Sequence, residues 1–138
     1  MERFLLDTHI WVWLQEEDRT KLKRSAIAEA EEWNDQQRLH ISAISVWEIA
    51  QLASTKRISL SLSIDAWMQN ALDDPALALL PLSTQVLMEA TRLPGTIHKD
   101  PADRMIVATA RHHGLTLLTR DDDILNYATQ GYLKVRRF

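Results

Sequence analysis

Four acids are spaced so that a single fold can gather them: Asp7, Glu48, Asp103 and Asp121. Asp7 closes the apolar run Phe4-Leu5-Leu6, and Glu48 falls in the early turns of the helical pattern that follows Leu39-His40-Ile41. Asp103 lies in the first turn of a helix opened by Asp100-Pro101, and Asp121 closes the apolar run LTLL and its Thr119. If these junctions meet at one rim, each pair of carboxylates about 5 Å apart repels by roughly 3 kcal/mol at an effective dielectric near 20. A divalent cation relieves that repulsion. Carboxylate oxygens select hard ions, Mg2+ or Mn2+, over Zn2+, and Mg2+ commonly takes a substrate phosphate oxygen as a further ligand. The chemistry that follows is phosphodiester hydrolysis, with the metal generating the nucleophile from water and stabilising charge on the phosphate. Thr119 is placed to orient an acid or a water from behind, and Thr8 stands beside Asp7. His9, His98 and Arg104 lie next to acids in the chain and are candidate substrate contacts, while His112 and His113 show no metal-type spacing.

The elements that must position these groups alternate. Asp100 is a favoured N-cap and Pro101 fits the first helical position; apolar residues then recur at helical spacing to Gly114, a C-terminal stop. Earlier helices are expected around Ile10 to Leu14, over 20–33, from Ser42 or Ser45 through Ala53, and from Ile64 to Leu72. Another runs from Ser83 to a stop at Pro94-Gly95, and a last short one from Ile124 to Gly131. Strands are expected at FLL, LHISA, ALALLPL and LTLL, with YLKV (132–135) as an edge strand. Strands alternating with helices imply a parallel sheet covered on both faces, whose ligand crevice lies outside the strands' carboxyl ends.

The 138 residues allow one domain with a sizeable core, and 46% hydrophobic with 25% charged is ordinary for a globular protein. There is no cysteine, which removes disulfides, thiolate metal sites and Cys nucleophiles and suits a reducing cytoplasm. No apolar stretch reaches membrane-spanning length, so no membrane association is expected. A net charge of −3 argues against a simple electrostatic nucleic-acid binder, although basic residues gather at Lys21, Lys23 and Arg24, at Lys56 and Arg57, and from Arg92 to Arg120.

Several of these residues also have ordinary structural readings. Asp100 and Asp103 suit a helix N-terminus, and Ser45 with Glu48 fits a capping box. Trp11, Trp13 and Trp47 suit either a core or a groove for a partner helix. A non-catalytic protein- or RNA-binding module is therefore the main alternative, and another Mg2+-dependent phosphoryl-transfer enzyme the second. A phosphoaspartate phosphatase would want a second Asp at position 9, which is His.

Four blocks, FLLDTHIWVW, ISAISVWEIA, DPADRMIVATA and LLTRD, resemble in order and spacing those of PIN-domain proteins, specifically the VapC-type toxins of bacterial toxin–antitoxin pairs. The resemblance covers nearly the whole chain and implies a single PIN domain over 1–138, a three-layer α/β/α sandwich around a mostly parallel sheet. It implies a metal-dependent endoribonuclease in which Asp7, Glu48, Asp103 and Asp121 match the acidic quartet that binds Mg2+ or Mn2+, with Thr119 at the usual Ser/Thr position. It further implies an RNA substrate, a homodimer, a small cognate antitoxin that blocks the acidic site, promoter DNA bound only through the toxin–antitoxin complex, and a bacterial cytoplasmic setting.

Overall fold

The computed structural model describes residues 1–138. Five strands, β1 (Phe4–Leu6), β2 (Leu39–Ser42), β3 (Ala78–Leu80), β4 (Thr116–Thr119) and β5 (Val135–Arg137), form one sheet in the order β3-β2-β1-β4-β5. Every pairing is parallel. The helices are α1 (Thr8–Gln15), α2 (Arg24–Asp35), α3 (Ala43–Ser54), α4 (Ile64–Leu72), α5 (Thr84–Thr91), α6 (Pro101–His113) and α7 (Asp122–Ala128). The expected α/β/α sandwich is thus present, with a sheet that is parallel throughout. No helix is long and apolar enough to cross a membrane.

Alternation along the central strands divides the interior into two cores, because successive side chains of a strand point to opposite faces. Phe4, Leu6, Leu39, Ile41 and Leu118 join Trp11, Trp33, Ile49 and Trp67 on one side. Leu5 and Leu117 join Val86, Ile106, Val107, Ile124 and Tyr127 on the other. The middles of β1 and β4 are apolar because they are buried on both faces. At their carboxyl ends the first polar groups are Asp7, directly after β1, and Thr119, the last residue of β4.

Strand order fixes where those ends meet. From β1 the chain steps to β2 and β3 on one side, then crosses to β4 and β5 on the other. The reversal lies between β1 and β4, paired from Phe4↔Thr116 to Leu6↔Leu118, and such switch points are where parallel sheets form their crevices.

Local signals set most helix ends. Asp100 accepts from Asp103 N at 3.0 Å, Pro101 occupies the first turn and Gly114 ends α6 at φ 64°. Ser42, not Ser45, caps α3, accepting from Ile44 N at 3.2 Å; the helix begins directly after β2, leaving Ser45 one turn too far along. The expected edge strand YLKV is displaced toward the C-terminus and shares only Val135 with β5. Tyr132 and Leu133 belong to the turn before it, where Leu133 is buried in the second core, so its apolar character reports packing and not strand pairing. The second helix starts at Arg24; Leu22 is buried from the preceding turn.

Ile41 is fully buried. Ile41→Ala is expected to lower the unfolding free energy by about 2–5 kcal/mol, the usual cost of such a core truncation, read from urea denaturation followed by circular dichroism.

Candidate functional site

Asp7 is the one residue between β1 and α1. It is only 7% exposed. Its Oδ2 accepts from Thr119 Oγ1 at 2.6 Å and its Oδ1 from Thr8 N at 2.8 Å, so β4 and the start of α1 both hold it. Thr119 also accepts from Asp121 N at 3.0 Å, which ties the second acid-bearing junction to the first. Asp121 in turn caps α7 through Ile124 N, also at 3.0 Å.

Glu48 approaches from α3. Thr8 Oγ1 lies 2.5 Å from Glu48 Oε1 and 2.9 Å from Ser45 Oγ. The S-x-x-E spacing that resembles a capping box puts Ser45 and Glu48 on one helix face, and that face meets Thr8 of α1 instead of the helix's own backbone. Asp103, in the first turn of α6, bonds His98 Nε2 through Oδ2 at 2.7 Å.

Asp7, Thr8, Glu48, Asp103 and Asp121 line one basin of about 460 Å³, together with Asp100, His9, Trp13, Arg57 and Arg120, while Thr119, Ser45 and His98 bond to its walls from behind. The four sequence-predicted acids are brought together. His9 lines the basin from α1, whereas His98 reaches it only through Asp103. Arg104 does not reach it: one residue further round the α6 helix than Asp103, its side chain turns toward α5 and its Nε donates to Ala90 O at 2.9 Å. Trp11 is in the core, Trp13 lines the basin with the Arg120 guanidinium 5.1 Å from its ring centroid, and Trp47 is on the surface beside it. Sequence reasoning did not assign Arg57, Arg120, Trp13 or Ser45 to the site. For Arg57 and Arg120 the available signal was a basic residue beside an expected junction or in a loop.

Burial and crowding make ionisation costly here. Burial raises the Asp7 pKa against the opposing effect of its Thr119 hydrogen bond, and the charge of Asp121 adds to the rise. Glu48 is pushed up to about 7, first by burial, with the Thr8 bond opposing and Asp103, Asp7 and Asp100 repelling. Asp103 is pushed up to about 6, again chiefly by burial, against the bond from His98 and with Asp100, Asp7 and Asp121 repelling. Burial works to lower His98, but the hydrogen bond and charge of Asp103 outweigh it and raise the pKa overall.

The region matched by the PIN domain family spans residues 4–130. The chain belongs to the PIN-domain family. This PIN domain is 36% identical over 123 residues to Ribonuclease VapC22 of Mycobacterium tuberculosis (strain ATCC 25618 / H37Rv), the match covering 88% of each chain. Its fold is shared with DNA-bound VapBC from Salmonella typhimurium, at a TM-score of 0.66 and 21% identity over 99% of this chain and 98% of that one. It is shared also with FitAcB from Neisseria gonorrhoeae, at a TM-score of 0.68 and 21% identity over 97% and 96%.

The donor set of the PIN-domain basin is all oxygen, anionic and mutually repelling, which fits a hard divalent cation. No three of its His, Asp or Glu side chains stand close enough to enclose an ion by themselves. A cation that keeps several of its waters, as Mg2+ does, suits carboxylates that repel one another without closing round an ion.

The pKa shifts fix the sign of a pH effect. A carboxyl whose folded pKa exceeds its unfolded one binds more protons when folded, so stability falls as pH rises between the two values. A histidine with a raised folded pKa also loses its contribution as pH rises through that value. In EDTA, the melting temperature is therefore expected to fall from pH 5 to pH 8, most steeply through the range in which Glu48 and Asp103 titrate. Glu48→Gln should flatten that slope in thermal melts; an equally steep decline in the variant would show that the slope originates elsewhere.

Proposed function

We propose that this PIN domain is a metal-dependent endoribonuclease that hydrolyses RNA phosphodiester bonds as the toxin of a toxin–antitoxin pair. The observation that carries this reading is the convergence of Asp7, Glu48, Asp103 and Asp121 on one basin at the sheet's switch point. The relative named Ribonuclease VapC22 supports the reaction class, and the fold likeness to VapBC assemblies supports a small antitoxin as partner. A homodimer, and promoter DNA bound only through the toxin–antitoxin complex, are parts of the same proposal.

Asp7, Glu48, Asp103 and Asp121 would hold Mg2+ or Mn2+. When bound, the ion supplies an acidified water and stabilises negative charge on the phosphate. Thr119 and Thr8 hold Asp7 and Glu48 in place through the bonds described above, and the Asp103–His98 bond limits which way the α6 acid turns. Arg57 and Arg120 stand at the edge of the basin, where the flanking phosphates of an RNA strand would pass.

Purified protein freed of antitoxin should cut a mixed RNA pool in Mg2+ or Mn2+ and not in EDTA. Asp103→Asn is expected to lose more than about a hundredfold in rate, beyond the ten- to hundredfold typical of losing a group that only supports a metal ligand. Thr119→Val should fall within that smaller range. A folded Asp103→Asn protein that cuts as well as wild type would overturn the proposal, and a wild type that cuts nothing and is not toxic on expression would favour a binding module.

A further inference from the structure

The acidic basin continues past Glu48 into a second depression, a groove of about 310 Å³ between α3 and the start of α6. Glu48, Leu52, Arg57 and Asp100 line both, so the two are one continuous surface. Its far wall is Trp47, one residue before Glu48 on α3 and 57% exposed.

Trp47 differs from the other four tryptophans. Trp11 and Trp67 pack against each other, Trp33 stacks on Phe4, and Trp13 lies against His9 and two cations. The Trp47 ring has no aromatic or cationic partner within the chain. Leaving so large an apolar face in water forgoes burial that a core position would provide. Arg57 is unengaged in a similar way: it lines the groove with Glu48 and Asp100 yet forms no ion pair and no side-chain hydrogen bond. The chain is held at this point by Arg57 N donating to Leu52 O at 2.8 Å, just after Lys56 turns through the left-handed region at φ 59°. A flat apolar ring and an unpaired guanidinium, beside acids suited to phosphate chemistry, match the two halves of a nucleotide.

We propose that this groove seats a nucleotide next to the scissile phosphate, with its base stacked on Trp47 and its phosphate on Arg57. The proposal rests on the ribonuclease reading and adds to it the residue pair that positions the strand. It requires a single-stranded, unstacked segment, because a base inside a duplex has no free face to offer.

The test uses a short single-stranded RNA carrying the cut site mapped from wild-type digestion of the pool. Steady-state kinetics are measured for wild type, Trp47→Ala, Trp47→Phe and Arg57→Gln. Trp47→Ala is expected to raise KM by roughly tenfold with kcat little changed, as loss of one base stack predicts, and Trp47→Phe should recover most of that. Arg57→Gln should raise KM and weaken its dependence on salt. An RNA abasic beside the cut should bind wild type as weakly as Trp47→Ala binds the intact strand. If wild type cuts and Trp47→Ala keeps its KM, stacking is overturned while the ribonuclease reading stands. If Trp47→Ala instead converts a dimer to a monomer in size-exclusion chromatography, and Phe fails to restore KM, the face belongs to a second copy of the chain and the proposal is overturned. A wild type that cuts no RNA removes both readings together.

Discussion

The structure depends on keeping one nearly buried carboxylate, Asp7, at the end of its central strand. An unpaired buried charge is among the costliest features a fold can carry, and no cation of the chain forms an ion pair with this one. It is tolerated because two hydrogen bonds reach it from separate elements, the Thr119 hydroxyl from β4 and the Thr8 amide from α1. The Thr8 donor follows Asp7 in the chain, but the Thr119 donor is in place only while β1 and β4 hold their register, Leu6 against Leu118. A shift of one residue would turn every β4 side chain to the opposite face. It would move Thr119 away from Asp7 and exchange Leu117 and Leu118 between the two cores. Packing and site geometry are therefore fixed by the same strand pairing.

The other acids add to this load. Glu48 and Asp103 each have one hydrogen bond that favours the charged form, with Thr8 and His98 respectively, and each still has a raised pKa. The two apolar cores lie beneath the sheet faces, away from the rim where the carboxylates crowd. Stability is thus supplied by one part of the molecule and drawn down by another, the pattern expected where a site is shaped for a ligand and not for the stability of the free protein.

Much of this was legible in the sequence because it rests on local signals. Asp100-Pro101 and Gly114 bound α6, and the doubly buried runs FLL and TLLT end in the polar groups that build the rim. What was not legible depends on tertiary direction. Arg104 is adjacent to Asp103 in the chain but points to Ala90, because one step along a helix turns a side chain by about 100°. Ser45 and Glu48 fit a capping box by spacing alone, and only the position of Thr8 shows what they bond. Arg57 lies in the aperiodic stretch between α3 and α4, where no pattern indicates which way a side chain faces. YLKV was misplaced because Leu133 is buried without being in a strand.

An acidic basin and a polyanionic substrate are compatible only when the charge of the basin is offset. Five acids line it against two arginines, Arg57 and Arg120, so the rim cations cannot supply the balance. Protonation of Glu48 and Asp103 would offset part of it, but at the expense of the anionic oxygens a hard cation needs. A bound divalent ion offsets the charge and keeps those oxygens. On the ribonuclease reading a cation held by Asp7, Glu48, Asp103 and Asp121 would supply that offset, and the arginines would have the narrower task of holding the strand on either side. This division also accounts for a chain of net charge −3 acting on nucleic acid: attraction need only be local, at the few phosphates that cross the basin, while outside the basin acids and bases balance and offer no net positive charge to hold RNA indiscriminately.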